Sequence, residues 1–280
     1  MPSLHEIRIY PVKSCAGISL EQAELTPAGL RHGTIYDRQW MFVDQHGHML
    51  SQRTHPHMAR IQTRLHNDAI YLSYPELSDL ILPAEPDGAT MSVEIWEEQF
   101  TAQRLSEHYQ DWIQQAIGES AYLVKRCASS PRITSAKWSA PDQANHHFAD
   151  AYPYLITNLA SLEDLNQRLQ QAQRAPLSMD RFRANLILDD LNAYEEDYLS
   201  HLHFTQQASL RLVKPCSRCN IPSIDQDSGD VGPDPLDILQ SYRSNPIVDG
   251  GICFGMNAVL QHGQTYTIQT GMPLTADLAF

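Results

Sequence analysis

The most reactive side chains of this sequence lie in one short run, Cys216-Ser217-Arg218-Cys219. Lys214 and Arg218 are within a few residues of both thiols, and nearby cations favour the thiolate over the thiol. The thiolate is the form that attacks an electrophile or binds a soft metal ion. A single thiolate with cations around it suits a metal whose remaining ligands arrive on an anionic cofactor.

The same cysteine pair has three other interpretations: a structural zinc site, a thioredoxin-like redox pair and two buried residues without a chemical role. A structural zinc site needs about four ligands, and no second CxxC or HxxxH pair accompanies this one. A thioredoxin-like pair opens an amphipathic helix, whereas the segment 220–225 contains Pro222 and does not have that pattern. The third interpretation is two small buried residues without a chemical role, and the pair by itself leaves that interpretation open.

A second cluster, in the segment 10–15 (YPVKSC), follows a predicted strand. Lys13 offers a point charge and Ser14 a hydroxyl group, and both are suited to binding a phosphate. The glycines of a P-loop are absent, which excludes a nucleotide-binding loop of that kind. A Lys-Ser pair in a solvated surface turn is the alternative.

Two further segments, 37–40 (DRQW) and 181–185 (RFRAN), each place an arginine beside an aromatic residue at the edge of a predicted strand. Arg38 and Arg183 are the arginines of interest. Either could bind an anion, or could instead pack its aliphatic stem and guanidinium on an aromatic ring.

Short strands are predicted through the first hundred residues, separated by Gly, Pro, Asn and Asp. They lie at residues 5–10, 40–43, 59–65, 69–72, 79–82 and 91–96. This spacing predicts a closed or nearly closed sheet. Further strands are predicted at residues 185–188, 209–213, 258–260 and 265–269.

Two amphipathic helices are predicted between these groups of strands. Apolar residues at helical spacing over 109–117 predict a helix that is capped by Ser106 and ends at Gly118. The leucines of 162–169 predict a second helix, with Asn158 or Ser161 as its N-cap.

The size and charge of the chain limit the remaining function classes. Its 280 residues suggest one large domain or two modest ones, at roughly 150 residues per domain, and we predict two, at 1–120 and 121–280. The net charge of −13 argues against nonspecific binding to nucleic acid or to an anionic membrane. No apolar run approaches the roughly 18 residues of a membrane span, and no signal peptide is visible. Five cysteines, an odd and low number, indicate a reducing compartment, so we expect a cytoplasmic protein.

Six segments occur in an order that resembles one family. They are residues 10–15 (YPVKSC), 37–40 (DRQW), 148–150 (FAD), 160–166 (ASLEDLN), 182–185 (FRAN) and 216–219 (CSRC). Each is a weak signal alone, but six in the correct order are specific. The chain resembles the MOSC-domain molybdenum cofactor proteins, close to the mitochondrial amidoxime-reducing component and its bacterial relatives. The similarity runs from Ile7 to Pro273.

The resemblance implies a mainly β fold with some α, in which a MOSC N-terminal β-barrel is followed by a MOSC β-barrel domain. It also implies a pyranopterin molybdenum cofactor between the two, with the Cys219 thiolate ligating molybdenum. Cys216 is then a packed neighbour and not a ligand. The other residues that the resemblance assigns to the cofactor are Lys13, Ser14, Arg38, Thr157, Asn158, Ser161, Arg183, Asn185, Ser217 and Arg218.

The activity implied by the resemblance is the reduction of small N-hydroxylated compounds, such as hydroxylamines and hydroxylated base analogues. Bacterial relatives often carry an added ferredoxin domain with a cysteine cluster, which this sequence lacks. We therefore expect a separate reductase or small redox protein as electron donor.

Two alternatives belong to other function classes. One is a sulfur carrier with a persulfide on Cys219, supplied by a desulfurase that binds pyridoxal phosphate. The other is a module that binds or delivers the molybdenum cofactor without catalysis.

Overall fold

Strands are the most abundant secondary structure of this protein, in a computed structural model that describes residues 1–233, 235–261 and 265–279. The strands before residue 130 are β1 (Ser3–Ile9), β2 (Ile18–Leu20), β3 (Gln22–Thr26), β4 (Gly29–His32), β5 (Ile35–Tyr36), β6 (Trp40–Asp44), β7 (Gln62–His66), β8 (Ala69–Ser73), β9 (Leu80–Leu82), β10 (Thr90–Ile95), β11 (Glu98–Arg104) and β12 (Ala121–Arg126). The later strands are β13 (Tyr154–Asn158), β14 (Leu186–Asp189), β15 (Leu199–Thr205), β16 (Ala208–Ser217), β17 (Ser244–Asn245), β18 (Gly251–Leu260), β19 (Tyr266–Gln269) and β20 (Thr275–Leu278).

Helices are fewer than strands in the described residues, and the longest of them spans Leu159–Gln171. The α-helices are α1 (Gln110–Ile117), α2 (Ala136–Ser139), α3 (Leu159–Gln171) and α4 (Leu236–Arg243). Single 3₁₀ turns lie at Pro56–Arg60, Glu107–Tyr109, Met179–Phe182, Glu195–Tyr198, Ile221–Ser223 and Pro246–Val248. The mainly β fold with some α is therefore confirmed.

The largest sheet joins distant parts of the chain. Its strands follow the order β2-β1-β14-β13-β18-β16-β15-β20, and β17 pairs with β18 beside this path. β1 runs antiparallel to β14, with Ile7 opposite Leu186, and β13 runs parallel to β14. Because β1 and β14 are neighbours, the loop that follows β1 lies beside the segment that leads into β14. This pairing brings the segments 10–15 and 182–185 together.

Three smaller sheets complete the fold. Their strand orders are β10-β11-β12-β6, β19-β3-β4-β5 and β7-β8-β9. β19, near the C-terminal end, pairs with β3, with Ile268 opposite Ala23. The chain therefore returns to its N-terminal strands before β20 adds the last strand of the large sheet.

Buried apolar side chains hold the large sheet against the core. In β1, Leu4, Ile7 and Ile9 are fully buried, as are Leu186 and Leu188 on the neighbouring β14. Burial of a side chain of this size contributes about 1.5–3 kcal/mol to folding. The strands that carry the candidate site are thus anchored by their apolar faces.

Both predicted helices are confirmed, with differences at their first turns. α1 ends at Gly118, whose φ of +85° is the left-handed conformation typical of a helix terminus. Ser106 makes no capping bond with its side chain, because the 3₁₀ turn Glu107–Tyr109 comes between it and α1. Asn158 caps α3 by accepting a hydrogen bond from the Ala160 amide, so Asn158 and not Ser161 is the N-cap.

The strand predicted at 59–65 is correct only in its second half. β7 begins at Gln62, and Pro56 starts a 3₁₀ turn that ends at Arg60. Proline favours the first position of a helical turn because it has no amide hydrogen to leave unpaired. α4 was not predicted, and it packs Leu239 into the core beside α3. None of the helices described is both long and apolar enough to cross a membrane.

Candidate functional site

A cleft of about 730 Å³, its open mouth included, lies where the loop after β1 meets the end of β16. Eight of the eleven residues predicted for the site line it: Lys13, Ser14, Arg38, Arg183, Asn185, Ser217, Arg218 and Cys219. Its walls also include Arg53, Asp150, Tyr152, Cys216 and Asn257. Segments that are far apart in the sequence therefore meet at one cationic cleft.

The backbone at three of these positions is held in the left-handed region. Ser14, Arg38 and Arg183 have φ values of +66°, +48° and +55°. Non-glycine residues in this region cost of order 1–3 kcal/mol each, and such residues cluster at binding and active sites. The scaffold therefore maintains an unfavourable backbone where the predicted cofactor ligands lie.

Two arginines of the cleft lie against the ring of Tyr10. The guanidinium carbons of Arg38 and Arg183 are 4.3 and 4.4 Å from the ring centroid. Gly17 approaches the same ring so closely that a Cβ at this position would lie 2.5 Å from Tyr10 Cε1. The cationic groups are thus fixed on a rigid aromatic platform.

Arg38 is held in place by hydrogen bonds. Its guanidinium donates to the Asp37 carboxylate, to Asn185 Oδ1 at 3.2 Å and to the Arg183 carbonyl at 3.0 Å. Asn185 in turn donates to the Arg8 carbonyl at 3.2 Å and so ties β1 to β14. Arg38 and Asn185 therefore connect the two segments that the resemblance assigns to the cofactor.

Arg183 has no such partners. Both of its terminal nitrogens, Nη1 and Nη2, are buried, and neither has a hydrogen-bond partner within the described part of the chain. Burial lowers the pKa of Arg183 to about 10, so the group is still charged at neutral pH. A buried charge without a counter-ion is costly, and an anionic ligand in the cleft would satisfy it.

Lys13 is 6 % exposed and already paired. Its Nζ donates to the Phe148 carbonyl at 2.8 Å and to Asp150 Oδ1 at 2.5 Å. Burial lowers the pKa of Lys13 to about 8, and Asp150 opposes this shift. Burial acts to raise the pKa of Asp150, but Lys13 and Arg53 outweigh it and keep the carboxyl group ionised.

Arg53 lines the cleft but was not singled out by the sequence analysis. Its Nη2 donates to Asp150 Oδ2 at 2.9 Å, and its guanidinium also contacts the Cys219 thiol. Burial alone would lower the pKa of Arg53, but Asp150 and Cys219 outweigh it and raise this pKa. Asp150 belongs to a segment that the resemblance included, but no role was assigned to it.

The two cysteines of the CSRC segment have different surroundings. Cys219 is partly exposed at the wall of the cleft and packs beside Ala59, Ile221 and Ile224. The Sγ of Cys216 accepts a hydrogen bond from Arg218 Nη1 at 3.2 Å. Within the described residues, no group of three or more His, Cys, Asp or Glu side chains could hold a metal ion. A metal here would need ligands that the chain does not supply.

The structure does not bring Thr157, Asn158 and Ser161 to the cleft. All three are fully buried. Thr157 Oγ1 lies 3.3 Å from Met179 Sδ, Asn158 caps α3, and Ser161 donates to the Glu196 carboxylate at 2.8 Å. These contacts are structural, and the cofactor role of the three residues stays a prediction.

The residues present fit an anionic cofactor that carries its own metal ligands. Five cationic side chains line the cleft with one carboxylate, and they are Lys13, Arg38, Arg53, Arg183 and Arg218. The unpartnered guanidinium of Arg183 and the partly exposed thiol of Cys219, which in the described residues accepts no hydrogen bond from Arg218 as Cys216 does, are the groups such a cofactor would engage.

Comparisons with known proteins agree with this geometry. Residues 1–120 match the model of the MOSC N-terminal beta barrel domain, and residues 143–275 match that of the MOSC domain. The chain is 30 % identical to mitochondrial amidoxime-reducing component 1 of Mus musculus, over 85 % of this chain and 70 % of that protein. The human protein of the same name is also 30 % identical, over 85 % of this chain and 71 % of its own length.

A third relative is larger. The molybdenum cofactor sulfurase of Oryza sativa subsp. japonica is 30 % identical over 90 % of this chain, which corresponds to 32 % of that protein. The two domain matches and the identity to the amidoxime-reducing components show that this chain belongs to the MOSC-domain family.

Proposed function

We propose that the chain is a molybdenum cofactor-dependent reductase of N-hydroxylated compounds, with Cys219 as the metal ligand. The observation that carries the proposal is the cleft itself, which is lined both by the partly exposed Cys219 thiol and by the unsatisfied buried guanidinium of Arg183. The names of the amidoxime-reducing relatives support the type of reaction.

The reaction breaks one N–O bond. An N-hydroxylated amine takes up two electrons and two protons and yields the amine and water. When bound, the molybdenum cofactor supplies a metal that can accept an oxygen atom and change oxidation state by two electrons. We propose that the electrons come from a separate reductase or small redox protein.

The chain's own residues bind and orient the cofactor. In this proposal Arg183 and Arg38 neutralise its anionic groups from the Tyr10 platform, and Ser14 adds a hydroxyl hydrogen bond. Arg53 keeps a positive charge against the Cys219 sulfur, the atom that would ligate the metal. Lys13 and Asp150 hold one another and Arg53 in position.

The test compares Cys219→Ala with its neighbour Cys216→Ala in protein from a host that makes the cofactor. We expect Cys219→Ala to keep its fold and to lose reduction of an N-hydroxylated compound with reduced methyl viologen as donor. Cys216→Ala should keep most of both molybdenum and activity, because Cys216 contacts Arg218 and not the metal in this proposal. Full activity of a cofactor-loaded Cys219→Ala protein would overturn the assignment.

A second candidate function is supported by the similarity to the rice molybdenum cofactor sulfurase. In this case the cleft binds the cofactor or takes part in sulfur transfer without reducing a substrate. About one molybdenum atom per chain without reduction by any donor would favour a binding or delivery module. A sulfur carrier would instead show a persulfide on Cys219 and no bound molybdenum, by mass spectrometry and elemental analysis.

A further inference from the structure

A second cavity adjoins the cationic cleft and has no role in the proposal so far. It encloses about 1320 Å³, its open mouth included, and shares Asp150, Ala151 and Tyr152 with the first cleft. Its remaining walls include Trp96, Trp138 and Ile133. A ligand in this cavity would therefore lie next to the candidate metal site.

Trp96 is placed at the rim of this cavity at a cost to the backbone. Ile95 pairs with Glu98, so Trp96 and Glu97 form the two-residue turn between β10 and β11. Trp96 has a φ of +58°, where Asn or Gly is usual, and its side chain is 52 % exposed. A bulky aromatic residue in such a position indicates a function that opposes stability.

Contacts connect this tryptophan to the candidate metal ligand. The guanidinium carbon of Arg53 lies 4.7 Å from the Trp96 ring centroid, and the same guanidinium contacts the Cys219 thiol. On another wall, Trp138 packs beside Tyr152, and Lys214 Nζ lies 5.4 Å from its ring. Aromatic surfaces thus lead from the rim towards the cleft.

Arg132 and Asp150 in the wall of the cavity are paired, whereas Glu97 and Lys214 form no ion pair within the described residues. Arg132 is 4 % exposed and binds Glu98 at 2.6 Å and the Asp150 carbonyl at 2.6 Å. Asp150 is neutralised by Lys13 and Arg53. Trp96, Trp138 and Tyr152 offer aromatic surface on which a flat ring can pack, and the two unpaired residues carry opposite charges.

We infer that this cavity binds the aromatic ring of the substrate, with Trp96 and Trp138 as its specificity-determining walls. The N-hydroxyl group then enters the cleft beyond Tyr152. The placing of the N-hydroxyl group in the cleft rests on the proposed function. The binding of an aromatic ring in the cavity does not depend on it. The chain is therefore selective for N-hydroxylated compounds that carry a planar ring over small aliphatic ones.

The test uses two probes that share the N-hydroxyl group and differ in the ring, phenylhydroxylamine and N-methylhydroxylamine. Binding to the whole protein from a cofactor-competent host is measured anaerobically by calorimetry without an electron donor, so no turnover is needed. Trp96→Asn should weaken phenylhydroxylamine binding about tenfold, the size expected for loss of one aromatic contact. Binding of N-methylhydroxylamine should not change.

Trp96→Asn is well suited to this test because asparagine tolerates the left-handed turn, so its melting temperature should not fall. Trp96→Phe should restore most of the affinity. Tyr198→Asn, which removes an aromatic residue 66 % exposed and outside both cavities, should leave both probes unaffected.

Wild-type affinity of Trp96→Asn for phenylhydroxylamine, or no binding by the wild-type protein at millimolar concentration, would overturn the inference. Failure of the proposed function appears differently, as ring binding without reduction once a donor is added.

Discussion

Arg183 shows how one residue can be unfavourable for the protein alone and favourable for its complex. Its backbone is left-handed, its guanidinium is buried, and no partner for its terminal nitrogens is found in the described residues. Each of these features costs free energy in the cofactor-free protein. A bound anion would compensate the electrostatic part.

Replacing Arg183 should therefore stabilise the cofactor-free protein and weaken its binding of the cofactor. In a host without the cofactor, Arg183→Gln should raise the melting temperature by about 2–4 °C, because about 1 kcal/mol or more of unsatisfied burial is removed. In a host with the cofactor, its molybdenum content should fall about tenfold or more, the equivalent of one lost charge-assisted hydrogen bond. Differential scanning fluorimetry and elemental analysis measure the two quantities.

Arg243→Gln is the matched control. Arg243 is also largely buried, but it binds Asp197 at 2.6 Å, so its loss should lower stability and not raise it. A cofactor-free Arg183→Gln protein that melts below wild type would contradict our account of Arg183.

At the scale of single elements, the polar residues at the start of α3 show that a structural role and a binding role can have the same sequence pattern. Thr157, Asn158 and Ser161 surround its first turn, and hydroxyl and amide side chains in such positions serve equally as phosphate ligands or as helix caps. Only the position of the cleft distinguishes the two, and the cleft does not include them.

We therefore predict that Asn158→Ala lowers stability without affecting cofactor content. Loss of the cap should cost about 1 kcal/mol in the free energy of unfolding. Asn158 Nδ2 also donates to the Asn192 carbonyl at 2.7 Å, which adds to the loss. Denaturant unfolding gives the first quantity and molybdenum per chain the second.

Asn185→Ala is the comparison, since Asn185 lines the cleft and should lose molybdenum. An Asn158→Ala protein with wild-type stability and depleted molybdenum would reverse our assignment of these two residues.

The elements that the sequence predicted are those with a strong local pattern. α1 and α3 have apolar residues at helical spacing, and polar and apolar residues alternate in the second half of β1, from Glu6 to Ile9. β15 was missed because two of its seven residues are histidines and its sequence, LSHLHFT, is only weakly apolar. Its place in the sheet comes from pairing with β16 and β20, which no local pattern records.

The residues of the candidate site likewise fall into those that the sequence predicted and those that only the structure shows. Residues in motifs, such as Lys13 and Arg38, were found because residue type and order along the chain identified them. Arg53 lies in a turn with no distinctive pattern, and its partner Asp150 is 97 residues away. Trp96 had been interpreted as the end of a strand, and only the turn geometry shows that it faces a cavity.

At the scale of the whole molecule, stability should depend on pH through a buried carboxyl group. Glu196 is fully buried, next to Asp197, and accepts hydrogen bonds from Ser161 Oγ at 2.8 Å. Burial raises the pKa of Glu196 from 4.5 to about 7. Between these values the unfolded chain loses its proton while the folded protein keeps it, so stability falls as pH rises.

Glu196→Gln should lack this dependence. Relative to wild type, the variant should gain on the order of 2–3 kcal/mol in unfolding free energy between pH 4.5 and 7.5, since one pKa unit corresponds to about 1.4 kcal/mol. Unfolding by denaturant at both pH values, for both proteins, measures the difference. Parallel curves for the two proteins would mean that Glu196 is already ionised in the fold.

The left-handed backbone of several cleft residues makes the short motifs of the cleft difficult to transplant into other proteins. A free peptide with the sequence around Ser14 or Arg38 rarely visits that backbone region. Here it is imposed by bonds between distant segments, such as Lys13 N to the Trp40 carbonyl at 2.8 Å and Arg38 N to the Tyr10 carbonyl at 2.7 Å. Grafting the short motifs onto a foreign scaffold would transfer the side chains but not the torsions, so an engineered copy of this cleft must include the strands on both sides of it.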